Sequence, residues 1–360
     1  MRKIFFCARG KARNSGAGRR SAIVFLILFL LLIFSLILSL VFGATRISFL
    51  SIFGAGENRF EKTILLSIRL PRTLLVLVTG ILLGGSGAVF QLFFRNPLAE
   101  PGIMGISSGA TLGAVCASVL GLGASGAGFS ALAAKTAFPA LILSPVNFFA
   151  FAGALGAGVL VTTLAFTRAG RNNPAMLLIC GTALGTLYSS ISSMILLTAN
   201  KEFHSIYAWI LGSFNGRGWK ELIFILIPAA ASVAIMLAIS VPLDLLASGE
   251  VSASSLGVEV TKLRVMVLVS GALAVSAGVC AGGTIGFVGL IAPHIVRKVS
   301  GPRSRTLIPL SMIFGAALLL FSDTLARVVI APSELPAGII TSILGVPFFL
   351  SLCLTQRRSL

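Results

Sequence analysis

Along this chain, polar residues act as punctuation between apolar runs of roughly 20 residues each. The runs fall near 22–43, 73–93, 103–124, 148–167, 175–198, 221–241, 264–284, 287–296, 306–326 and 338–355, the eighth being short. A helix rises about 1.5 Å per residue, so roughly 20 apolar residues cross the ~30 Å hydrocarbon layer of a bilayer. Membrane-spanning strands would instead show segments of about ten residues with alternating polarity, which this chain lacks. The pattern predicts an all-α, polytopic membrane protein of about ten transmembrane helices. A single permeating domain over 22–355 is expected, between a basic tail at 1–21 and a short tail at 356–360. The first run, Ala22 to Phe42, is longer than the apolar region of a signal peptide, about 7–15 residues, so it is read as a retained span.

Composition narrows the choice. Of 360 residues, 56% are hydrophobic and 11% charged, with mean hydropathy +1.03. Soluble domains carry about 25% charged residues, so a soluble enzyme is excluded. The net charge of +18 is accounted for by orientation. With a cytoplasmic N-terminus, 18 of the 28 lysines and arginines fall in segments on the inner side, as the positive-inside bias requires. Both termini are then cytoplasmic. The basic tail lacks aromatic or groove-reading context, so no nucleic-acid partner is expected. Cys7, Cys116, Cys180, Cys280 and Cys353 form no C-x-x-C pair, and His204 and His294 are the only histidines. No disulfide framework and no metal site are expected.

Two internal patterns bear on architecture. "TGILLGGSG" at Thr79–Gly87 is echoed by "SGALAVSAG" at Ser270–Gly278, an offset of 191. The two spans run in opposite directions in the predicted topology, as in inverted-repeat transporters. Gly80, Gly84, Gly87 and Gln91 share one helix face, and Gly105, Gly109 and Gly113 repeat the device in the next span. Such stripes let helix backbones approach closely in a membrane. Gln91 is either an interhelical hydrogen-bonding group or a group on a solute pathway. Between these spans, "FRNPLAEPGIMGISSGA" breaks the helix at Pro97 and Pro101. Asn96 is placed to bond backbone groups freed at the break, and contact with a solute or a partner is the alternative.

"RLPR" (Arg69–Arg72), "RNPLAEPGIMGISSGA", "AWILGSFNGRGW" (Ala208–Trp219), "LGVEVTKLR" (Leu256–Arg264), "GGTIGFVGLIAPHIVR" (Gly282–Arg297), "SDTLAR" (Ser322–Arg327) and "LPAGIITSILGVPFFL" (Leu335–Leu350) follow one another in that order. Taken together, from Arg69 to the C-terminus, they closely resemble the FecCD family of ABC-transporter permeases. The resemblance implies a type II ABC importer permease fold in the cytoplasmic (inner) membrane of a bacterium or archaeon. It implies import of a ferric siderophore, haem or cobalamin by alternating access. The implied partners are two ABC ATPase subunits, an extracytoplasmic solute-binding protein, membrane lipid and a second permease, identical or paralogous. No G-x-x-x-x-G-K-[ST] motif occurs; Gly10–Lys11 continues with Ala12. The chain is therefore expected to bind no cofactor and to hydrolyse no ATP, with ATP and Mg²⁺ used by the partner ATPase.

The resemblance also carries residue roles. Arg69, Arg72 and Arg327 match arginines that dock onto carboxylates of the binding protein, a task suited to the planar guanidinium fork. Interfacial snorkelling is the alternative for the first two, and an intrahelical pair with Asp323 for the third. The stretch 243–263 resembles the loop that couples to the ATPase through two short helices. Gly249 and Gly257 are expected at its turns, Glu250 at a helix start or facing the partner, and Leu256 in the same surface. Thr341 is expected to line the pathway in the last span, and Gly345, with Pro347, to gate, kink or pack it. His294, beside Pro293, is read as part of a structural turn. An ion-coupled secondary transporter is the rival reading; it requires intramembrane carboxylates, whereas the acidic residues here cluster in loops and at span ends.

Overall fold

The computed structural model describes residues 2–43, 59–122, 144–164, 166–167, 174–198, 207 and 209–356, and all regular structure among them is helical. Thirteen α-helices follow in order: α1 (Arg2–Val41), α2 (Arg59–Ile64), α3 (Leu70–Phe93), α4 (Ile106–Ala117), α5 (Pro145–Leu164), α6 (Pro174–Thr198), α7 (Trp219–Ala238), α8 (Ser240–Leu246), α9 (Glu250–Ser255), α10 (Val260–Gly282), α11 (Val288–Ser300), α12 (Ser304–Val328) and α13 (Ala337–Gln356). His204, Arg168 and Arg171, used in the topology argument, lie outside the described residues.

Among the described residues, seven helical segments are long and apolar enough to cross a membrane: Ser21–Val41, Lys62–Phe93, Pro145–Leu164, Met176–Leu197, Trp219–Ala238, Val260–Gly282 and Ser304–Val328. Ile106–Leu120 and Ala337–Ser351 are shorter apolar helices. With α11 they fill the ten predicted positions. The second span starts earlier than its apolar run. Pro71 cannot donate to the preceding turn, and just ahead of it the backbone widens into a π-helical stretch, Leu65–Arg69, that joins α2 to α3.

The arrangement inverts the logic of a soluble bundle. Helices α3 and α10 have 78% of their most apolar window buried, whereas α1 and α6 have 17%. The glycine-rich helices therefore occupy the centre, and the large exposed side chains of α1, such as Leu26, Ile27 and Phe34, face outward, as they must in lipid. Helix α3 packs against α12, α10 and α11, and α4 packs against α5 and α6.

The two echoing segments lie against each other. A methyl group at Gly278 would contact the Thr79 side chain at 3.5 Å, and one at Gly271 would overlap the Phe90 ring. Numbering rises along one helix as it falls along the other, so α3 and α10 run antiparallel, as inverted halves require. Chain ends sort accordingly. The end of α1, the start of α3 and the end of α12 meet at one end of the bundle. The end of α3, the end of α8 and the start of α12 meet at the other.

Candidate functional site

At the first of these ends, three arginines converge. The last four carbonyls of a helix have no partner within it. In α1 each one receives a guanidinium N–H. Arg69 donates to Leu40 O and Val41 O at 2.7 and 2.6 Å, and Arg327 to Ser39 O and Phe42 O at 3.1 and 3.2 Å. Arg72 donates to Asp323 at 2.8 Å and Glu334 at 2.7 Å, while Asp323 also pairs with Arg327 at 3.1 Å. The three arginines are each at most 6% exposed. The structure thus takes up internally the guanidinium groups expected to face a soluble partner. The intrahelical Asp323–Arg327 pair, the alternative weighed from the sequence, is present, and Asp323 bridges two arginines. Positive charges at the carbonyl end of α1 also complement its dipole.

At the opposite end, 243–263 folds into a hairpin of short helices. Helix α8 ends at Leu246, Gly249 turns the chain at φ +114°, α9 follows, and Gly257 turns it again at φ +86° before α10. These angles fall where L-residues are disfavoured and glycine is not. Glu250 sits in the first turn of α9, where a negative charge suits the helix dipole, and pairs with buried Arg264 at 3.9 Å. The Glu250 side chain is still about half exposed. Val251 and Leu256 are 86% and 64% exposed, so the tip of the hairpin presents bare apolar side chains. Its base is tied inward: Arg95 donates to Leu246 O, and the Asp244 carboxylate accepts the Ser304 N–H at 2.7 Å. The hairpin is therefore bonded to the end of α3 and the start of α12.

The stripe on α3 makes the contacts its spacing implies. Methyl groups added at Gly80, Gly84 and Gly87 would lie 2.5 Å from Ala316 Cα, 2.2 Å from Ser311 O and 1.9 Å from Gly289 O. The backbones of α3, α12 and α11 touch directly there. Gln91 continues this face and donates to Leu290 O at 3.2 Å, with Arg297 3.4 Å from its side-chain oxygen. Fully buried, Gln91 is the interhelical bonding group rather than a cavity-lining one. Asn96 Oδ1 accepts the Leu98 N–H at 2.9 Å, which shapes the turn after α3. Arg95 beside it has φ +50°.

A cavity of about 570 Å³ opens between four segments: Glu100–Ser107, Ile210–Leu211, Thr284–Gly286 and the start of α13. From α13 it is lined by Ser342, whereas Thr341, one residue before, is buried and donates to Gly338 O at 3.0 Å. Gly345 packs against Phe287: a methyl there would lie 2.3 Å from the ring. Phe287 itself adopts φ +67°, uncommon for a bulky residue. The His294 ring packs edge-on against Phe348 at 5.6 Å. Sequence reasoning did not single out Glu100, Ser342 or Thr284. The signal available for the first was a carboxylate set between two prolines and flanked by apolar runs.

Residues 31–355 match the model of the FecCD transport family. The chain is 37% identical over 309 residues to the cobalamin import system permease protein BtuC of Halobacterium salinarum, covering 86% of this chain and 78% of that one. It is 36% identical over 317 residues to the hemin transport system permease protein HmuU of Yersinia pestis, covering 88% and 90%. It is 33% identical over 310 residues to the Fe(3+) dicitrate transport system permease protein FecD of Escherichia coli, covering 86% and 90%. Among solved structures, an inward-facing metal-chelate type ABC transporter superposes with TM-score 0.78 at 30% identity over 93% of this chain and 99% of that chain. PsaBC from Streptococcus pneumoniae shares the fold, with TM-score 0.53 at 16% identity over 83% and 92%.

Proposed function

We propose that this chain, which belongs to the FecCD transport family, is the membrane-spanning permease subunit of a binding-protein-dependent importer of iron chelates. Ferric siderophores are its first candidate solutes, and haem and cobalamin the next. The relatives named for haem, ferric dicitrate and cobalamin support that order only as a class. The observation that carries the reading is the hairpin at Ser240–Val260, apolar at its tip and bonded at its base to α3 and α12.

The mechanism follows from those bonds. An ATPase that grips Val251 and Leu256 and moves the hairpin pulls on Arg95 and Ser304 together. Helices α3 and α12 are in backbone contact along the glycine stripe, so they move as one body rather than sliding past each other. Rocking of that body in each of two permease subunits alternates access to the cavity. The arginine cluster keeps α1 fastened to the moving ends of α3 and α12. A docking role for Arg69, Arg72 and Arg327 then belongs to the surface they buttress, toward the binding protein. The permease pairs with a second copy or a paralogue, both termini are cytoplasmic, and ATP and Mg²⁺ are consumed by the ATPase subunits.

Uptake of radiolabelled ferric siderophores, haemin and cobalamin by cells lacking this chain tests the assignment. Loss of uptake of one chelate class, restored by the intact gene and dependent on the ATPase, is expected. Unchanged uptake of all three would refute the iron-chelate and cobalamin reading. Uptake that survives ATPase inactivation and collapses with the ion gradient would establish the secondary-transporter alternative.

A further inference from the structure

The carboxyl group of Glu100 stands where two cavities meet. It lines the 570 Å³ cavity and also a second one behind it. The second has room for about 10 Å³, and a single water needs roughly 10–15 Å³. Its walls include Leu83 and Ser86 of α3 and Val275 and Gly278 of α10, the antiparallel pair at the centre of the bundle. Glu100 therefore separates the open space from the innermost helix seam.

What holds it there is the start of α11. Leu290 and Ile291 both donate to Phe287 O, which leaves the Gly289 N–H as one of the helix's free donors. The Glu100 carboxylate lies beside it. The approach is close: a methyl group at Gly289 would lie 3.0 Å from Glu100 Oε1. The same Gly289 meets Gly87 of α3 across its carbonyl. One glycine is thus clamped between the central helix and a carboxylate from the α3–α4 connection.

We propose that Glu100 is a positioning residue for translocation, a latch that closes the inner seam by bonding the start of α11. This rests on the transport reading above. The latch is firmest when ionised, because a charged acceptor makes a stronger hydrogen bond and suits a helix N-terminus. Burial pushes the carboxyl up to about 7, so the latch weakens as pH falls through that value. Neighbouring elements add no competing charge in this part of the molecule. Neither cavity has another ionisable side chain in its lining. Helix α3 carries none between Arg72 and Arg95, and α10 none between Arg264 and Cys280. The ionisable groups of α11 are His294, Arg297 and Lys298, beyond its first turn, and those of α4 and α13 are Cys116 and Cys353.

A thiol reporter tests this in the purified full chain. Ser86→Cys, in a background with the five native cysteines replaced, places a reactive group in the closed inner cavity. A small maleimide reacts with the thiolate, so its rate at each pH is divided by the rate for the same chain unfolded in denaturant; this ratio is expected to be low at about pH 8 and about fivefold higher at about pH 6, as the charge-assisted bond is lost. Glu100→Gln, which keeps the shape without the charge, is expected to label fast at both. Glu100→Ala is expected to do the same, and elution profile and melting of each variant report folding. In proteoliposomes holding the ATPase and binding protein, Glu100→Gln is expected to import fewer solute molecules per ATP at pH 8, near the wild-type value at pH 6. Equal labelling of wild type and Glu100→Gln at every pH would overturn the latch. Glu100-dependent labelling without any import would uphold the latch and sink the transport reading instead.

Discussion

Gly84→Ala is the smallest change that tests how the centre of this bundle is built. The added methyl would lie 2.2 Å from Ser311 O and 3.2 Å from Gly315 Cα. Carbon–oxygen contacts settle at about 3.3 Å or more, so α3 and α12 must part by roughly 1 Å. Neither obstacle is a flexible side-chain tip; both are backbone. A gap of that size forfeits about a quarter to a half of each dispersion contact along the seam. Gly80 and Gly315 share that seam, with Gly315 only 2.6 Å from Gly80 O when given a methyl. The cost is therefore placed at the upper end of overpacking, about 3 kcal/mol. Gly156→Ala is the matched control, because a methyl there would meet nothing within 4 Å, and alanine favours the helix by up to about 1 kcal/mol. Both variants are purified in the same mild detergent and heated, and the surviving monodisperse fraction is read by size exclusion. Gly84→Ala is expected to lose about 5 °C, and Gly156→Ala to match or exceed the wild type. Equal melting of the two would refute direct backbone contact between α3 and α12.

Further consequences follow from the two ends of the bundle. Asp323→Ala leaves Arg72 and Arg327 without their shared carboxylate, and loss of one partner of a buried pair costs about 3–5 kcal/mol; thermal inactivation is expected to accelerate accordingly, and an unchanged rate would show the cluster to be solvated. Val251→Asp with Leu256→Asp, at exposed positions of the hairpin, is expected to leave melting within about 0.5 kcal/mol of wild type while abolishing co-purification of the ATPase. Retention of the ATPase by that double variant would move the coupling surface elsewhere.

The run lengths read from the sequence located the spans because lipid imposes a minimum length that no tertiary contact relaxes. They missed the extension of the second span to Lys62, since Arg69 and Arg72 break the apolar run. Those charges are tolerated because partners remote in sequence absorb them: the carbonyls of Leu40 and Val41, and the carboxylates of Asp323 and Glu334. The glycine stripe was legible because it is a spacing, and spacing on a helix is local information. Which face of α13 meets the cavity was not legible, because an almost uniformly apolar helix has no polar side to give its phase, and Thr341 and Ser342 look alike in sequence. Glu100 stayed hidden for a related reason. The Gly289 it packs against lies far away in the chain, and only the fold brings a carboxylate from a proline-broken connection to the start of α11.

In the proposed mechanism this chain takes its driving force from a separate ATPase through the 243–263 hairpin. The most direct measurement is the intact mass of the complex purified from its native host through a tag on this chain. A particle with two permease subunits and two ATPase subunits is expected, the second permease identical or paralogous, with loss of the ATPase on Val251→Asp with Leu256→Asp. Purification of the chain without an ATPase, under conditions that keep another ABC importer whole, would contradict it.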